Sequence, residues 1–194
     1  MVLQGKKALL VISGGIAAFK ALAVLRLLKQ HGADTYVVMT EHATHFITPA
    51  SFAMWSGHPV SLDLFAPLKA WNMEHIALAH QADLVLVVPA TANLIAKLAT
   101  GIADDLVSTL LVVIADRAPI FLAPAMNAHM YTNAVVQEHL ATLRQRRVEV
   151  IEPRYGRLAS TLEGEGVGRL AEPVDITAHV LAHIRHTTAR APSR

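Results

Sequence analysis

Five short runs of this chain are apolar at nearly every position, where a half-exposed strand would be apolar at every second one: residues 8–13, 35–39, 84–88, 120–123 and 148–151. A strand with one wet face alternates, whereas a strand without alternation is buried on both faces, the environment of a parallel sheet layered between helices. Segments of helical character separate the runs, at residues 16–30, 49–55, 91–99, 104–115, 134–146 and 174–186. In the first of these Leu22, Leu25 and Leu28 recur at helical spacing, and Gly32 stands where a C-terminal cap belongs. Strand and helix alternating along the whole chain predict an α/β fold, specifically a single-domain, flavodoxin- or Rossmann-like doubly wound parallel sheet with helices on both faces. The domain is expected over residues 1–186, with a frayed tail at 187–194. Residues 57–74 read as a long connection of mixed character, and such connections tend to serve function. Residues 152–172 are rich in glycine and polar groups and show no period, so no regular element is expected there.

Composition narrows the function classes. Hydrophobic residues make up 53% of the chain and charged residues 16%, an apolar balance for 194 residues. It implies covered sheet faces and, in addition, surface buried between subunits. No apolar run approaches the roughly 20 residues that span a bilayer, and the first seven residues lack a signal-peptide layout. A cytoplasmic, non-membrane protein is expected. The net charge is +2, and Arg144, Arg146 and Arg147 form the only tight basic cluster, so no patterned face for nucleic acid is present. There is no cysteine, which excludes disulfides, thiolate metal sites and a cysteine nucleophile. His179, His183 and His186 share one face of the last helix with no carboxylate on that face, and read as solvated, not metal-binding. No metal is expected. His42 and His45 have no expected role beyond lining a ligand.

In an open parallel sheet, ligands bind beyond the carboxyl ends of the strands, where the strand order reverses. The unusual residues of this sequence fall at those ends. After the first strand comes Ser13-Gly14-Gly15-Ile16-Ala17-Ala18, in which glycines admit an anion close to backbone N–H groups and the helix start favours negative charge. The pattern is not GxGxxG, and the acidic residue that would bind a nicotinamide ribose is missing, because the second strand ends Val38-Met39-Thr40. A hydroxyl there suits a monophosphate such as that of FMN; a tight strand–helix turn without any ligand fits the same residues. After the third strand comes Pro89-Ala90-Thr91-Ala92-Asn93, where Thr91 also fits a helix cap. After the fourth comes Pro124-Ala125-Met126-Asn127-Ala128-His129-Met130, which offers a carboxamide with donor and acceptor. His75 closes the long connection and opens an apolar turn, where an imidazole can move a proton or fix a carboxylate.

Together these segments resemble the homo-oligomeric flavin-containing cysteine decarboxylases over nearly the whole chain. Ser13–Lys20 resembles the family's first flavin loop, His75-Ile76-Ala77-Leu78 its catalytic-histidine segment, and Pro89–Asn93 its Pro-Ala-Ser-Ala-Asn flavin segment. The stretch from Pro124 to Tyr131 resembles the Pro-x-Met-Asn-x-x-Met-Trp substrate segment, with Tyr131 in place of Trp. The resemblance implies FMN contacts at Gly14, Gly15, Ile16, Thr40, Thr91, Ala92, Asn93 and Ala125, a catalytic His75, and Asn127 as anchor for a substrate carboxylate or amide. Met130 would belong to a substrate clamp that includes residues 159–169. It further implies a trimer or dodecamer in which flavin and histidine meet across subunits. The implied activity is FMN-dependent decarboxylation of a small cysteinyl compound such as 4′-phosphopantothenoylcysteine, through thioaldehyde and aminoenethiol intermediates, in coenzyme A biosynthesis.

One departure matters. Where the family carries Leu-Ala-Cys-Gly, this chain reads Leu158-Ala159-Ser160-Thr161, so Ser160 takes the place of the proton-donating cysteine. A hydroxyl is a far weaker acid than a thiol of pKa about 8.5. The substitution points to a reaction that stops at the aminoenethiol, as with a peptide C-terminal cysteine, to another proton donor, or to different flavin chemistry. A flavin prenyltransferase and a non-catalytic flavoprotein are the alternatives of other classes. The chain ends where some relatives continue into a phosphopantothenoylcysteine synthetase, which is therefore expected as a separate polypeptide.

Overall fold

The computed structural model describes residues 1–64, 79–159 and 164–190. Strands β1 (Lys7–Ile12), β2 (Asp34–Met39), β3 (Leu84–Ala90), β4 (Ile120–Pro124) and β5 (Glu149–Val150) form one sheet in the order β2-β1-β3-β4-β5. Every pairing in it is parallel, with Ala8 opposite both Thr35 and Leu84. The chain steps outward from β1 to β2 and then crosses back to build β3, β4 and β5 on the other side. The order therefore reverses between β1 and β3, as in the doubly wound fold expected from the sequence.

The unbroken apolar runs follow from this layering. Successive side chains of a strand point to opposite faces, and here each face is covered. On one face Leu10, Ile12, Val37, Leu86 and Phe121 pack with the first and last helices, α1 (Ala21–Gln30) and α8 (Pro173–Arg190). On the other, Leu9, Val11, Val85, Val87 and Leu122 pack against α4 (Ala92–Thr100), α5 (Leu106–Ile114) and α7 (Ala134–Gln145). Truncating any of these leucines to alanine would cost about 2–5 kcal/mol. Helix ends follow local chemistry. Thr91 caps α4 by accepting from Leu94 N–H at 3.4 Å, and Gly101, at φ 79°, ends it. Asp105 and Ser108 form a reciprocal capping box at the start of α5.

Three expectations change. The helix expected at 16–30 begins as a 3₁₀ turn (Ile16–Lys20) before α1, because no side chain caps it at Gly15 and the first turn tightens instead. The stretch expected to be irregular holds an antiparallel hairpin of β6 (Arg154–Arg157) and β7 (Glu165–Arg169). Tyr155 and Val167 stand alone in its strands among glycine, arginine and glutamate, so no apolar period announces them. The last helix runs to Arg190, beyond its expected end at 186. Short helices α2 (Glu41–Thr44), α3 (Pro49–Ser56) and α6 (Ala128–Thr132) complete the described elements. The long connection is described to residue 64, and its Ser61 bonds to Val37 and Met39, covering part of the outer edge of β2. Among the described residues no helix is long and apolar enough to cross a membrane.

Candidate functional site

A cleft of about 1040 Å³ opens at the carboxyl ends of the strands, over the switch point between β1 and β3. Its walls are the turn after β1, the start of α2, the turns after β3 and β4, and the β6–β7 hairpin. Gly14, Gly15, Ile16, Thr40, Thr91, Ala92, Asn93, Ala125, Asn127 and Met130 all line it. His75 and Ser160 lie outside the described residues. The expected residues among those described thus come from four separate segments of chain and line one cleft.

Ser13, not among the expected contacts, knits the switch point together. Its buried hydroxyl donates to the Pro89 carbonyl at 2.8 Å, accepts from Thr91 N–H at 3.0 Å and lies 3.1 Å from Thr91 Oγ1. Thr91 is accordingly both a helix cap and a wall of the cleft. Thr40 behaves alike: its oxygen accepts from Ala43 N–H at 3.3 Å, which leaves the hydroxyl hydrogen to donate. Gly14 is explained by packing. A Cβ there would sit 2.8 Å from the His42 carbonyl carbon and closer still to His42 Cβ, so the glycine lets the β1 turn meet the start of α2. His42 lines the cleft, as allowed for at the outset; His45 is not among its walls.

Asn127 caps α6. Its Oδ1 accepts from His129 N–H at 2.7 Å and Met130 N–H at 3.3 Å, which orients the carboxamide and commits its acceptor side to the backbone. The Nδ2 hydrogens have no partner among the described residues and are left to an acceptor such as a carboxylate or carbonyl. The hairpin closes over this turn: Met126 N–H donates to Gly168 O at 3.0 Å, and a Cβ at Gly166 would lie 2.7 Å from Ala128 Cβ. Behind it Tyr131, 8% exposed, donates to Glu152 at 2.5 Å, and Arg144 holds the other carboxylate oxygen at 2.5 Å. Burial first, and the Glu152 carboxylate second, push the phenol up to about 12. A raised folded pKa favours the neutral phenol, so the contribution of Tyr131 is whole below about pH 10 and is lost as pH rises toward 12. Tyr131→Phe is expected to cost about 1–2 kcal/mol at pH 8. Denaturant unfolding at pH 8 and above pH 10 checks this, with the gap between the two proteins closing at the higher pH.

Charge in the cleft is uneven. Lys97 pairs with Asp104 at 2.5 Å and Asp105 at 2.7 Å. Burial pushes the Lys97 ammonium down, but the bonds to the two carboxylates outweigh it and its pKa ends above the ordinary lysine value. Burial raises Asp105, while Lys97 and Ser108 together bring it below the usual carboxylate range. The basic cluster seen in sequence is dispersed, since Arg144 binds Glu152 and Arg146 donates to the Ala99 carbonyl. The histidine face of α8 is not simply solvated, as β5 supplies the carboxylate that the helix lacks. Glu149 lies 3.5 Å from both His179 and His183, which pack edge-on to Phe121. Among the described residues no cluster can hold a metal ion.

The donors left over in the cleft (two threonine hydroxyls, a glycine turn, an amide NH₂) and its apolar flanks at Ile16 and Phe19 fit a phosphorylated aromatic cofactor beside a carboxylate-bearing substrate. Comparison with known proteins agrees. The Flavoprotein family matches residues 2–185. The coenzyme A biosynthesis bifunctional protein CoaBC of Vibrio vulnificus (strain YJ016) is 48% identical over 177 residues, covering 91% of this chain and 43% of that protein. The chain thus spans less than half the length of such curated relatives. A cysteine-to-serine variant of PPC decarboxylase, complexed with pantothenoylaminoethenethiol, superposes with a TM-score of 0.80 at 27% identity, covering 95% of this chain and 98% of the other. The FMN-dependent cysteine decarboxylase SpaF superposes with a TM-score of 0.78 at 26% identity, covering 96% and 99%.

Proposed function

The chain belongs to the Flavoprotein family, and from that premise we propose that it binds FMN and decarboxylates 4′-phosphopantothenoylcysteine to 4′-phosphopantetheine, a step of coenzyme A biosynthesis. The observation that carries the reading is the convergence of the β1 turn, Thr40, Thr91 and Asn127 on one cleft at the switch point. FMN is held by Gly14, Gly15, Ile16, Thr40, Thr91, Ala92, Asn93 and Ala125, with the Thr40 hydroxyl free to donate to its phosphate. When bound, FMN would supply the two-electron redox chemistry that gives loss of CO₂ from a cysteine an electron sink.

The chain's own residues position and protonate. Asn127, its acceptor side fixed by the α6 backbone, presents Nδ2 hydrogens to the substrate carboxylate, and Met130 with the hairpin covers the substrate. His75 serves as the catalytic histidine. The protein works as a homo-oligomer, trimer or dodecamer, which fits the exposed Met54, Trp55, Val112 and Val113. A phosphopantothenoylcysteine synthetase supplies its substrate. The Vibrio vulnificus relative's name, a coenzyme A biosynthesis protein, supports this substrate over others.

A second reading, oxidative decarboxylation of a peptide's C-terminal cysteine to an aminoenethiol, is favoured by Ser160 in the cysteine's place. A cysteine-to-serine variant of PPC decarboxylase is complexed with pantothenoylaminoethenethiol, which supports a stop at the enethiol when serine stands there. Mass spectrometry of the product separates the two. FMN-loaded protein given phosphopantothenoylcysteine is expected to release CO₂ and yield the saturated thiol. A product two mass units lighter would show that the reductive half is missing, and turnover of a peptide ending in cysteine would then move the assignment to the second reading.

A further inference from the structure

We infer that Glu152, gripped by Arg144 and bonded to Tyr131, is a positioning residue: it fixes the short helix α6 and, through it, the direction of the Asn127 carboxamide. The inference rests on the role proposed above for Asn127 and deepens it. Helix α6 is five residues long, and a helix so short has no stability of its own, because nucleating a turn costs more than its few hydrogen bonds return. Its first N–H groups, those of His129 and Met130, are the donors that orient Asn127. Whatever holds α6 therefore aims the carboxamide.

The anchors are of two kinds. Ahead of α6 they are main-chain bonds, from Ala125 N–H to Ala90 O at 3.1 Å and from Met126 N–H to Gly168 O at 3.0 Å, which fix where the turn starts. At the far end they are side chains. Gln137 Nε2 donates to the Tyr131 carbonyl at 2.5 Å. The Tyr131 hydroxyl donates to one Glu152 oxygen and Arg144 binds the other, so the carboxylate is held on both sides. Such bonds to a charged partner are roughly twice as strong as neutral ones. Glu152 is fixed in turn by its neighbour, since Ile151 N–H donates to Leu122 O of β4 at 2.8 Å. The path from β4 through Asn127 and α6 to Tyr131, then across Glu152 and Ile151 back to β4, closes a circuit that contains Asn127. Where the family segment carries Trp, the phenol of this chain supplies the closing hydroxyl. Tyr131, Gln137, Arg144 and Glu152 are not among the described walls of the cleft, so they act on a ligand only through the residues they hold.

The test uses the FMN-loaded full chain and a double-mutant cycle between Tyr131→Phe and Asn127→Ala, with Glu152→Ala and Glu152→Gln beside it. One readout is kcat/KM for phosphopantothenoylcysteine. Another is calorimetric affinity for 4′-phosphopantothenoylserine, which keeps the carboxylate and lacks the thiol, against 4′-phosphopantetheine, which lacks the carboxylate. Tyr131→Phe and Glu152→Ala should each lower kcat/KM and weaken the serine analogue by about five- to twentyfold, with 4′-phosphopantetheine changed by less than about twofold. Glu152→Gln, which keeps an acceptor for the phenol, should recover most of the loss. In the Asn127→Ala background Tyr131→Phe should add nothing, because the group through which it acts is gone. Effects that multiply in the double variant, or equal weakening of both ligands, would make Tyr131 and Glu152 packing residues and overturn the inference. A further readout needs no reaction: amide hydrogen exchange at His129 and Met130 should quicken in Tyr131→Phe. Unchanged exchange there overturns the inference for any substrate. Absence of turnover by the native chain, with that quickening present, defeats the proposed reaction and leaves the positioning of Asn127 standing.

Discussion

His75→Asn is expected to give yellow protein, with one FMN per subunit, that releases CO₂ from phosphopantothenoylcysteine at least about a hundredfold more slowly than the native chain. Imidazole is the one side chain whose ordinary pKa lies close to neutrality, so it can both accept and return a proton at working pH. An amide of similar size keeps a hydrogen-bonding group but cannot take up that proton. The flavin contacts are assigned to the turns after β1, β2, β3 and β4, none of which includes residue 75, so the cofactor should stay bound. The absorption spectrum reports flavin content, and trapped CO₂ reports turnover. Full turnover in this variant would remove His75 from the mechanism, and loss of both colour and turnover would make it a flavin-site residue instead.

Gly14→Val should be colourless. The backbone at Gly14 needs no positive φ, so strain of that kind is not the cause. The cause is contact: any Cβ there meets the backbone and Cβ of His42, and a branched side chain cannot be relieved by rotating one flexible end. Either the β1 turn or α2 must move, and Thr40, the cap of α2, moves with it. The expected result is loss of bound FMN on gel filtration together with a stability cost of about 1–3 kcal/mol from overpacking. Gly15→Ala is the contrast, because its Cβ would lie 3.4 Å from Thr91 Cγ2, an ordinary contact, and that protein should fold with near-native stability. A yellow Gly14→Val protein of unchanged stability would show that the turn yields freely and that its close approach to α2 does not shape the flavin site.

The sheet could be read because burial on both faces marks each strand within its own few residues, as in Leu84–Ala90, where every residue is buried. The strand-end turns were equally plain, since Gly14-Gly15, Thr91 and Asn127 each directly follow or close upon such a run. The hairpin was not readable. Tyr155, Gly156, Gly166 and Gly168 carry no apolar alternation, and what holds β7 in place is its contact with Met126 and Ala128, some 40 residues earlier in the chain. In sequence Ser13 is only the first residue of the glycine turn, because nothing near it reveals that Pro89 and Thr91 are its partners.

The order of apolar runs, helix caps and turns along the chain was enough by itself to specify a doubly wound parallel sheet and the strand ends at which its ligand site lies, since periodicity and capping act over a few neighbouring residues. Only the folded structure decided that Gly14 serves His42, that Asn127 has its Nδ2 side to spare, and that Lys20 and Arg169 share the Glu172 carboxylate. Those are relations between segments distant in sequence, made when the strands pair and the hairpin folds back, and no local pattern encodes them.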